Sequence, residues 1–371
     1  MRDDSCADRA VAPAQPDGAD LGMTLAEFAA VRGCHPQAMR APYAARMRDG
    51  IGVALPAVTR AEHRDGVTKF CLAVGGPQST LETESVIIPM NSYRGTDWHT
   101  LCVSSQVGCR MGCTFCETAR MGLLRNLSAS EIVAQRLAAR QLMNDRAPAE
   151  GRFRYFADGI QNIVFMGMGE PFDNFEHVIQ AVRALNEPCG LDFPLTQITI
   201  STVGRVDGLR KLAALARTPQ RDREWRNLRL AISLTAADDQ LRDVLMPINK
   251  GMPLVELQRA LLEYPLTRKG RYLIQYVLIK DVNDSLADAD AVAAWCRPLP
   301  CVVNVIPYNP QRDAAYATPS EDTVLRFLLR LRTRGIFVKR RITQGRDLMG
   351  ACGQLGNPAI RRRLADTRAA V

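Results

Sequence analysis

The sequence predicts an α/β protein, a partial (β/α)6 barrel with a small N-terminal accessory region. After about residue 99, short β-branched or apolar runs alternate with longer stretches of helical periodicity. Such alternation is typical of parallel strands joined by helical crossovers. Six of these units are present, fewer than the eight of a complete barrel. With 371 residues, 47% hydrophobic and 23% charged, the composition is that of a globular chain.

The predicted elements follow in order along the chain. Strands are expected at residues 100–104, 162–166, 197–201, 228–233, 272–279 and 302–306, with a further strand at 336–341. Helices are expected at residues 130–144, 175–186, 207–216, 253–263 and 286–295. Cysteines or small polar residues follow most of these strands. Because parallel strands end at one rim of a barrel, we expect a polar cofactor there.

The remaining segments set the predicted domain organisation. Residues 1–22, rich in Ala, Asp and Pro, predict a flexible tail, and residues 23–80 predict a small accessory region that begins with a short helix. We place the barrel and a C-terminal loop at 81–356 and a C-terminal tail at 357–371. The chain shows no apolar run of about 18 residues and no signal-peptide pattern, which predicts no membrane association and a cytoplasmic location.

Net charge and cysteine content limit the kinds of partner and the kinds of cysteine chemistry that we expect. The formal net charge of +9 permits a polyanionic partner, and basic residues are concentrated between Arg326 and Arg346. That run is either a solvated helix face with a basic strand or a nucleic-acid contact. The eleven cysteines are odd in number and follow no secretory signal, so a disulfide framework is not expected.

Three cysteines stand in the pattern C-x3-C-x2-C just beyond the first predicted strand. Cys109, Cys113 and Cys116 suit an iron–sulfur cluster, and the absence of a fourth cysteine nearby leaves one iron open to another ligand. A structural zinc site would need a fourth ligand close by, and the next histidine toward the C-terminus is His177. The spacing therefore favours a cluster over zinc or a chance grouping of core cysteines.

These motifs resemble those of the radical S-adenosylmethionine (SAM) RNA adenine methyl synthases. The likeness extends over residues 82–356 and includes the segments CVSSQVGC (102–109), RNL (125–127), GMGEP (167–171), ITIST (198–202), MPINK (246–250) and ACGQL (351–355). It implies a partial barrel of the radical SAM type, one 4Fe-4S cluster, and two SAM molecules per turnover. It also implies a class A enzyme that methylates carbon 2, or in one branch carbon 8, of an adenine in ribosomal or transfer RNA.

The resemblance also implies roles for three further residues. A first SAM would methylate Cys352, and a 5′-deoxyadenosyl radical from a second SAM would take a hydrogen from this S-methyl group. The methylene carbon would then add to the adenine, and Cys102 would release the product by forming a disulfide with Cys352. Glu84 stands where the family places its proton acceptor, with Glu82 close enough to be confused with it.

The resemblance further implies a SAM site and partners. The matching positions are Gly169, Glu170, Ser201, Ser233, Leu234, Thr235 and Asn309. Ser201 and Ser233 could instead simply cap strand ends, and the family has histidine where Thr235 stands. The implied partners are an RNA substrate, rRNA and/or tRNA, and a reducing electron donor such as flavodoxin or ferredoxin. We expect a monomer.

Two other functions stay open from the sequence. The first keeps the radical methyl transfer but has a non-RNA acceptor: a nucleotide, a peptide or a small metabolite. The second is a non-catalytic iron–sulfur protein that binds RNA or acts as a sensor. The position of methylation is also open, because residues 93–98 resemble the carbon-8 branch whereas residues 88–89 and 169–171 resemble the carbon-2 branch.

Overall fold

The computed structural model describes residues 19–76, 79–91, 97–144, 159–218, 224–311 and 315–357. The chain divides into two compact units. The first comprises Met1–Val107, Asn126–Gly167 and Asn174–Ile198. The second comprises Gly108–Arg125, Met168–Asp173 and Thr199–Val371.

Strands and helices alternate through most of the described ranges. The strands are β1 (Val58–Arg64), β2 (Val67–Val74), β3 (Leu81–Asn91), β4 (Asp97–Cys102), β5 (Gln106–Cys109), β6 (Gly122–Asn126), β7 (Ile160–Phe165), β8 (Ile198–Thr202), β9 (Arg229–Ser233), β10 (Tyr272–Leu278), β11 (Cys301–Pro307) and β12 (Val338–Arg340). The helices are α1 (Leu25–Ala30), α2 (Pro36–Ala44), α3 (Glu117–Arg120), α4 (Ala129–Asn144), α5 (Phe175–Leu185), α6 (Val206–Arg217), α7 (Asp239–Leu245), α8 (Leu254–Glu263), α9 (Leu286–Cys296) and α10 (Glu321–Thr333).

The first unit is built on an antiparallel meander. Strands β1 to β4 pair in sequence order with antiparallel neighbours, and β7 then pairs with β4 in parallel. The register places Glu84 opposite Cys71 and Cys102 opposite Val86. Because alternate residues of a strand share a face, Glu84 and Cys102 lie on the same face of this sheet.

The second unit contains the remaining parallel strands. Strands β8, β9, β10, β11 and β12 pair in that order, all in parallel. Helices α6, α9 and α10 follow β8, β10 and β11, and both α7 and α8 follow β9. Residues of β10 and β11 are largely buried, as expected for strands covered on both faces. The loops after these strands hold most of the candidate site.

The predicted fold class is confirmed. The six predicted strands correspond to β4 and β7–β11, the further strand to β12, and the five predicted helices to α4, α5, α6, α8 and α9. The helix expected as one interpretation of the basic run corresponds to α10, and the sequence analysis missed the β1–β3 meander, strands β5 and β6, and helices α2, α3 and α7. The predicted domain boundaries stay a prediction.

The structure describes the last four residues of the predicted tail. Residues Ala19–Gly22 form a 3-10 turn, in which the side chain of Leu21 is 1% exposed. Gly22 packs so tightly against α4 that an added Cβ would lie 2.8 Å from the Cβ of Ala129. Burial of Leu21 therefore orders the turn. Residues 1–18 and 358–371, also predicted as tails, lie outside the described residues.

Candidate active site

A short loop after β5 carries the three cysteines of the C-x3-C-x2-C motif. Cys109 ends β5, and Cys116 is the residue that precedes α3. Gly108 (φ +76°) and Gly112 (φ +74°) adopt left-handed backbone, which side chains with a Cβ avoid. A Cβ on Gly108 would also lie 1.8 Å from the carbonyl oxygen of Gly122 at the start of β6. Position 108 therefore requires glycine.

The Gly108→Ala variant should lower the free energy of unfolding far more than Gly50→Ala does. Gly50 has a similar φ of +70°, but its added Cβ would meet no atom within 4 Å. Gly50→Ala should therefore lower the free energy of unfolding by about 1–2 kcal/mol, the cost of left-handed backbone. Gly108→Ala adds a backbone clash and should cost more than about 4 kcal/mol. Urea unfolding of both variants measures the difference, and equal losses would contradict the tight approach of β5 and β6.

The three thiols lie in a largely apolar environment. Cys109 and Cys113 belong to a buried cluster with Met111, Ala236, Leu245, Met246, Ile279 and Tyr308, and Cys116 packs against it half-buried. Burial raises the pKa of Cys109 to about 12 and the pKa of Cys113 well above its usual value. Burial likewise raises the pKa of Cys116. The free thiols therefore hold their protons, which a bound metal would have to displace.

A buried arginine lies near this loop. Arg242 on α7 is 1% exposed and donates from Nη2 to the carbonyl oxygens of Val203, at 2.7 Å, and Ser233, at 3.0 Å. These two carbonyls lie at the carboxyl ends of β8 and β9, so Arg242 fixes both strand ends. Burial lowers the pKa of Arg242 to about 10, an effect that the nearby Cys113 opposes. A fixed cation here would stabilise thiolates in the cysteine loop.

Glu170 ties together two loops at the same rim. Its carboxylate accepts hydrogen bonds from the backbone N–H of Phe172, at 3.0 Å, and of Val203, at 2.8 Å. Burial raises the pKa of Glu170 to about 7, although these N–H donors favour the charged form. The neighbouring Gly169 has φ +99°, which favours glycine. The carboxylate of Glu170 therefore positions the loop, and the adjacent backbone is left to contact a ligand.

The ends of β8 and β9 present the other predicted SAM contacts. Ser201 and Ser233 are half-buried, whereas Leu234 and Thr235 are fully buried. Thr235 adopts φ +54°, and its carbonyl oxygen accepts a hydrogen bond of 2.7 Å from Asn283 Nδ2. Within the described residues, Thr235 Oγ1 is buried without a hydrogen-bond partner. This orphaned hydroxyl is a polar group that a ligand at the rim could satisfy.

The loop after β12 docks against the cysteine region. The backbone N–H of Glu117 donates to Gly353 O at 2.8 Å, and Thr118 Oγ1 donates to Leu355 O at 2.5 Å. Asn309 Nδ2 donates to the carbonyl oxygen of Cys352 at 3.2 Å. Cys352 itself is half-buried, and its charge is a minor contribution to the raised pKa of Cys116. The structure thus brings together Cys352, Asn309 and the cysteine loop.

Cys102 and Glu84 lie in the first unit. Cys102 is buried at the end of β4, and Glu84 is buried on β3. The carboxylate of Glu84 is 2.9 Å from Lys69 Nζ, and each of these side chains is 6% exposed. Arg60 Nη2 lies 3.9 Å from the other carboxylate oxygen. Glu84 is therefore a buried anion paired with a buried cation, on the same face of the sheet as Cys102.

Comparison with known proteins identifies the family. Residues 103–290 match the family model of the radical SAM superfamily. The chain belongs to this superfamily. The "Probable dual-specificity RNA methyltransferase RlmN 1" of Protochlamydia amoebophila is 42% identical over 283 residues, 76% of this chain and 72% of the relative. The "Dual-specificity RNA methyltransferase RlmN" of Desulfotalea psychrophila is 39% identical over 300 residues, 81% of this chain and 76% of the relative.

A solved structure gives the same family. A radical SAM methyltransferase from Sphaerobacter thermophilus superposes with a TM-score of 0.76 at 34% identity, covering 90% of this chain and 98% of that one. Together with the curated relatives, it places the chain among the radical SAM methyltransferases of the RlmN family.

The donor set fits the 4Fe-4S cluster and SAM that radical SAM proteins use. Three cysteines in an apolar setting can ligate three irons and leave the fourth for SAM. In the described ranges, no group of three or more His, Cys, Asp or Glu residues is placed to hold a single metal ion. Cubane ligands bind separate irons, so they need not meet at one point. The orphaned Thr235 hydroxyl suits a polar ligand at this radical SAM rim.

The basic run of this radical SAM protein is more neutralised than its sequence indicates. Arg330 and Arg334 both donate to Asp290, at distances of 2.7–2.9 Å. Arg326 pairs with Asp322 at 2.9 Å, and Arg340 pairs with Glu321. At least four of the eight cations between Arg326 and Arg346 therefore have carboxylate partners. A solvated helix face accounts for much of this run.

Two buried cations, each within its own unit, escaped sequence reasoning. Lys69, which pairs with Glu84, lies in a segment whose pattern was mixed, and Arg242 lies on a short helix that was not predicted. For Arg242, its place four residues before the MPINK segment was an available signal. No helix in the described ranges has the length and hydropathy that a membrane crossing requires.

Proposed function

We propose that this protein methylates an adenine carbon of RNA through a methyl group carried on Cys352. The observation that carries the proposal is the docking of the C-terminal loop, in which the backbone N–H of Glu117, next to Cys116, donates to the carbonyl oxygen of Gly353, next to Cys352. Such a position suits a thiol that is first methylated and then attacked by a radical. The names of the curated RlmN relatives support RNA as the substrate.

Cys352 and Cys102 each form and break specific bonds in the proposed reaction. Bound SAM and the cluster would supply the methyl group and a hydrogen-abstracting radical. Cys352 carries the methyl group as a thioether and, after loss of one hydrogen atom, bonds through that carbon to the adenine. The adduct regains an aromatic ring by losing the adenine proton and one electron, for which a bound cluster would be the acceptor. Cys102 then attacks the Cys352 sulfur, so that a disulfide forms and the carbon–sulfur bond breaks. The electron pair of that bond stays with the methylene carbon, which takes a proton and becomes the product methyl group.

We assign SAM contact to the residues at the strand ends. Ser201, Ser233 and Thr235 offer hydroxyls at the ends of β8 and β9, and Leu234 offers its backbone. Gly169 offers backbone beside Glu170, and Asn309 lies between the rim and the Cys352 loop. Because the Glu170 carboxylate is occupied by backbone N–H groups, Glu170 acts as a positioning residue.

Glu84 is the proposed acceptor of the proton that leaves the adenine carbon. Lys69 neutralises and orients its carboxylate across a 2.9 Å ion pair, shielded from water. A buried carboxylate with a fixed orientation can take a proton without rearrangement of solvent. Glu82, the alternative, is opposite Ala73 and only half-buried. The structure therefore supports Glu84 over Glu82 for this role.

The Glu84→Gln variant should separate the two half-reactions. Methylation of Cys352 needs no base at adenine, so the C-terminal peptide should still gain a methyl group. RNA methylation should fall by about 10²–10⁴-fold, the usual contribution of a general base. Mass spectrometry of the peptide and of RNA digests measures both. Glu82→Gln is the matched control and should keep both activities, and loss of RNA methylation in Glu82→Gln alone would reverse the assignment.

The test of the function uses SAM with a trideuterated methyl group. Anaerobically reconstituted protein, reductant and RNA from a methylation-deficient host would be incubated with it, and the RNA digested for mass spectrometry. Because one hydrogen is lost from Cys352 before transfer, the methyladenosine should carry two deuterons. Three deuterons would mean direct transfer and would refute the proposal. Methylation of Cys352 with unmodified RNA would point to a nucleotide, peptide or metabolite as acceptor.

The finer assignments rest on the same experiment. Chromatography of the product distinguishes carbon 2 from carbon 8, and fractionated rRNA and tRNA identify the substrate. Of the segment similar to the carbon-8 branch, residues 93–96 lie outside the described residues. We propose in addition a flavodoxin or ferredoxin as electron donor, a monomer, and a cytoplasmic location, because free thiols and a reduced cluster suit a reducing compartment.

A further inference from the structure

A cavity of the second unit lies at the edge of the parallel strands opposite the candidate active site. It has a volume of about 530 Å³, within the range of small-molecule sites. Residues at the start of β11, at the end of α9, and just before β10 and β12 line it. The carboxyl ends of β8, β9 and β11 carry the candidate SAM residues, so this cavity is a separate site.

Two free cysteines face each other in this cavity. Cys296 is the last residue of α9 and is 1% exposed, whereas Cys301 begins β11 and is half-buried. Cys301 Sγ donates to the carbonyl oxygen of Cys296 at 3.8 Å, and each thiol lies close enough to shift the pKa of the other. Between them stand Pro298 and Pro300, whose fixed φ angles stiffen the connection. The pair is therefore held together by the fold.

The two thiols differ in pKa. The neighbouring Cys296 thiol, together with the charge of Arg271, lowers the pKa of Cys301 in spite of partial burial. The Cys301 thiol and burial raise the pKa of Cys296. Since the thiolate is the nucleophile in disulfide exchange and Cys301 is the more exposed of the two, Cys301 is the attacking sulfur and Cys296 the resolving thiol.

The other walls of the cavity indicate the kind of molecule that fits. Arg271 and Arg297 supply two guanidinium groups, which bind carboxylates through paired hydrogen bonds. Phe337, whose side chain is 62% exposed, supplies an apolar wall. A small disulfide that carries carboxylates matches both features.

We propose that this cavity is a thiol–disulfide exchange site, at which Cys301 reacts with a small anionic disulfide and Cys296 resolves the product. Cys301 attacks one sulfur of the small disulfide, a mixed disulfide forms, and one small thiolate leaves. Cys296 loses its proton to solvent and attacks Cys301, a Cys296–Cys301 disulfide forms, and the second small thiolate leaves. The protein pair is oxidised by two electrons, and the small disulfide is reduced to two thiols.

The test uses the anaerobic holoenzyme with glutathione disulfide as the probe. Trypsin does not cleave before proline, so Arg297–Pro298 stays intact and both cysteines lie on the peptide 281–312. In the wild type this peptide should become lighter by two hydrogen atoms. In Cys296→Ser it should instead retain one glutathionyl group, and in Cys301→Ser it should stay unmodified. This mass readout does not depend on methylation activity.

A second cysteine in the same digest provides the reference for the reaction rate of Cys301. Cys189 is also half-buried, and Cys301 should react about tenfold faster, as expected for a thiol with more thiolate character. Arg271→Gln should slow the reaction of Cys301 several-fold and leave that of Cys189 unchanged. Equal rates for Cys301 and Cys189, or the same glutathionyl adduct in the wild type and Cys296→Ser, would overturn the proposal.

Discussion

The Cys352→Ala variant is expected to lose RNA methylation entirely while keeping its fold and its iron. The C-terminal loop is anchored through backbone carbonyls of residues 352, 353 and 355, and none of these contacts needs the thiol. Alanine therefore removes the proposed methyl carrier without releasing the loop. The measurement is the methyladenosine content of RNA digests, with iron content and circular dichroism as checks on the protein.

A paired variant makes this prediction specific to Cys352. In Cys102→Ala the carbon–sulfur bond of the adduct should persist, so protein covalently bound to RNA should accumulate. The double variant Cys102→Ala/Cys352→Ala should accumulate none. Cys189→Ala, at a half-buried cysteine remote from these roles, should behave as the wild type. Residual methylation in Cys352→Ala would transfer the methyl-carrying role to another group.

The Cys113→Ala variant is expected to lose the cluster and with it every radical step. Cys113 is buried among apolar side chains, where a cluster with two protein ligands would gain no replacement donor. Iron content and visible absorbance after anaerobic reconstitution measure the loss. Cys71→Ala is the control, because Cys71 is also a buried cysteine, and this variant should keep its iron. A wild-type iron content in Cys113→Ala would contradict the assignment.

The raised pKa values of the cysteine loop add a pH dependence to cluster loading. Burial raises the pKa values of Cys109, Cys113 and Cys116, so each apo thiol binds its proton at neutral pH. Cluster loading must then release these protons. The apparent affinity for the cluster should therefore rise with pH across the neutral range, as an iron titration at several pH values would show. The Cys113→Ala variant should show no such rise.

The strands of the parallel sheet were predictable because burial leaves a clear pattern in the sequence. The runs that became β7–β11 are apolar or β-branched and lie between helices, of which α5, α6 and α8 have a distinct apolar face. β1 was missed because every residue is exposed and its charged sequence VTRAEHR has no buried face. Helix α7 was missed because its seven residues make too short a window for helical periodicity.

The part of the candidate site that is a motif of fixed spacing could be predicted from the sequence. The cysteine motif is local, and the family likeness extended it to Cys352, far along the sequence. Lys69 and Arg242 could not be found in this way. Their significance lies in contacts with Glu84 and with the ends of β8 and β9, which only the folded chain brings about.

The anchoring of the C-terminal loop has a consequence for its opening. Four hydrogen bonds to carbonyl oxygens hold it: Asn309 to Cys352, Glu117 to Gly353, Thr118 to Leu355, and Gln354 to Pro310. At about 1 kcal/mol net for each, these bonds alone make release of the loop cost at least about 4 kcal/mol, a population of one in a thousand or less. The Glu117 amide should then exchange its hydrogen with solvent at least about 10³-fold more slowly than a free amide, through local release rather than global unfolding. That single amide would report how often Cys352 leaves the cysteine loop.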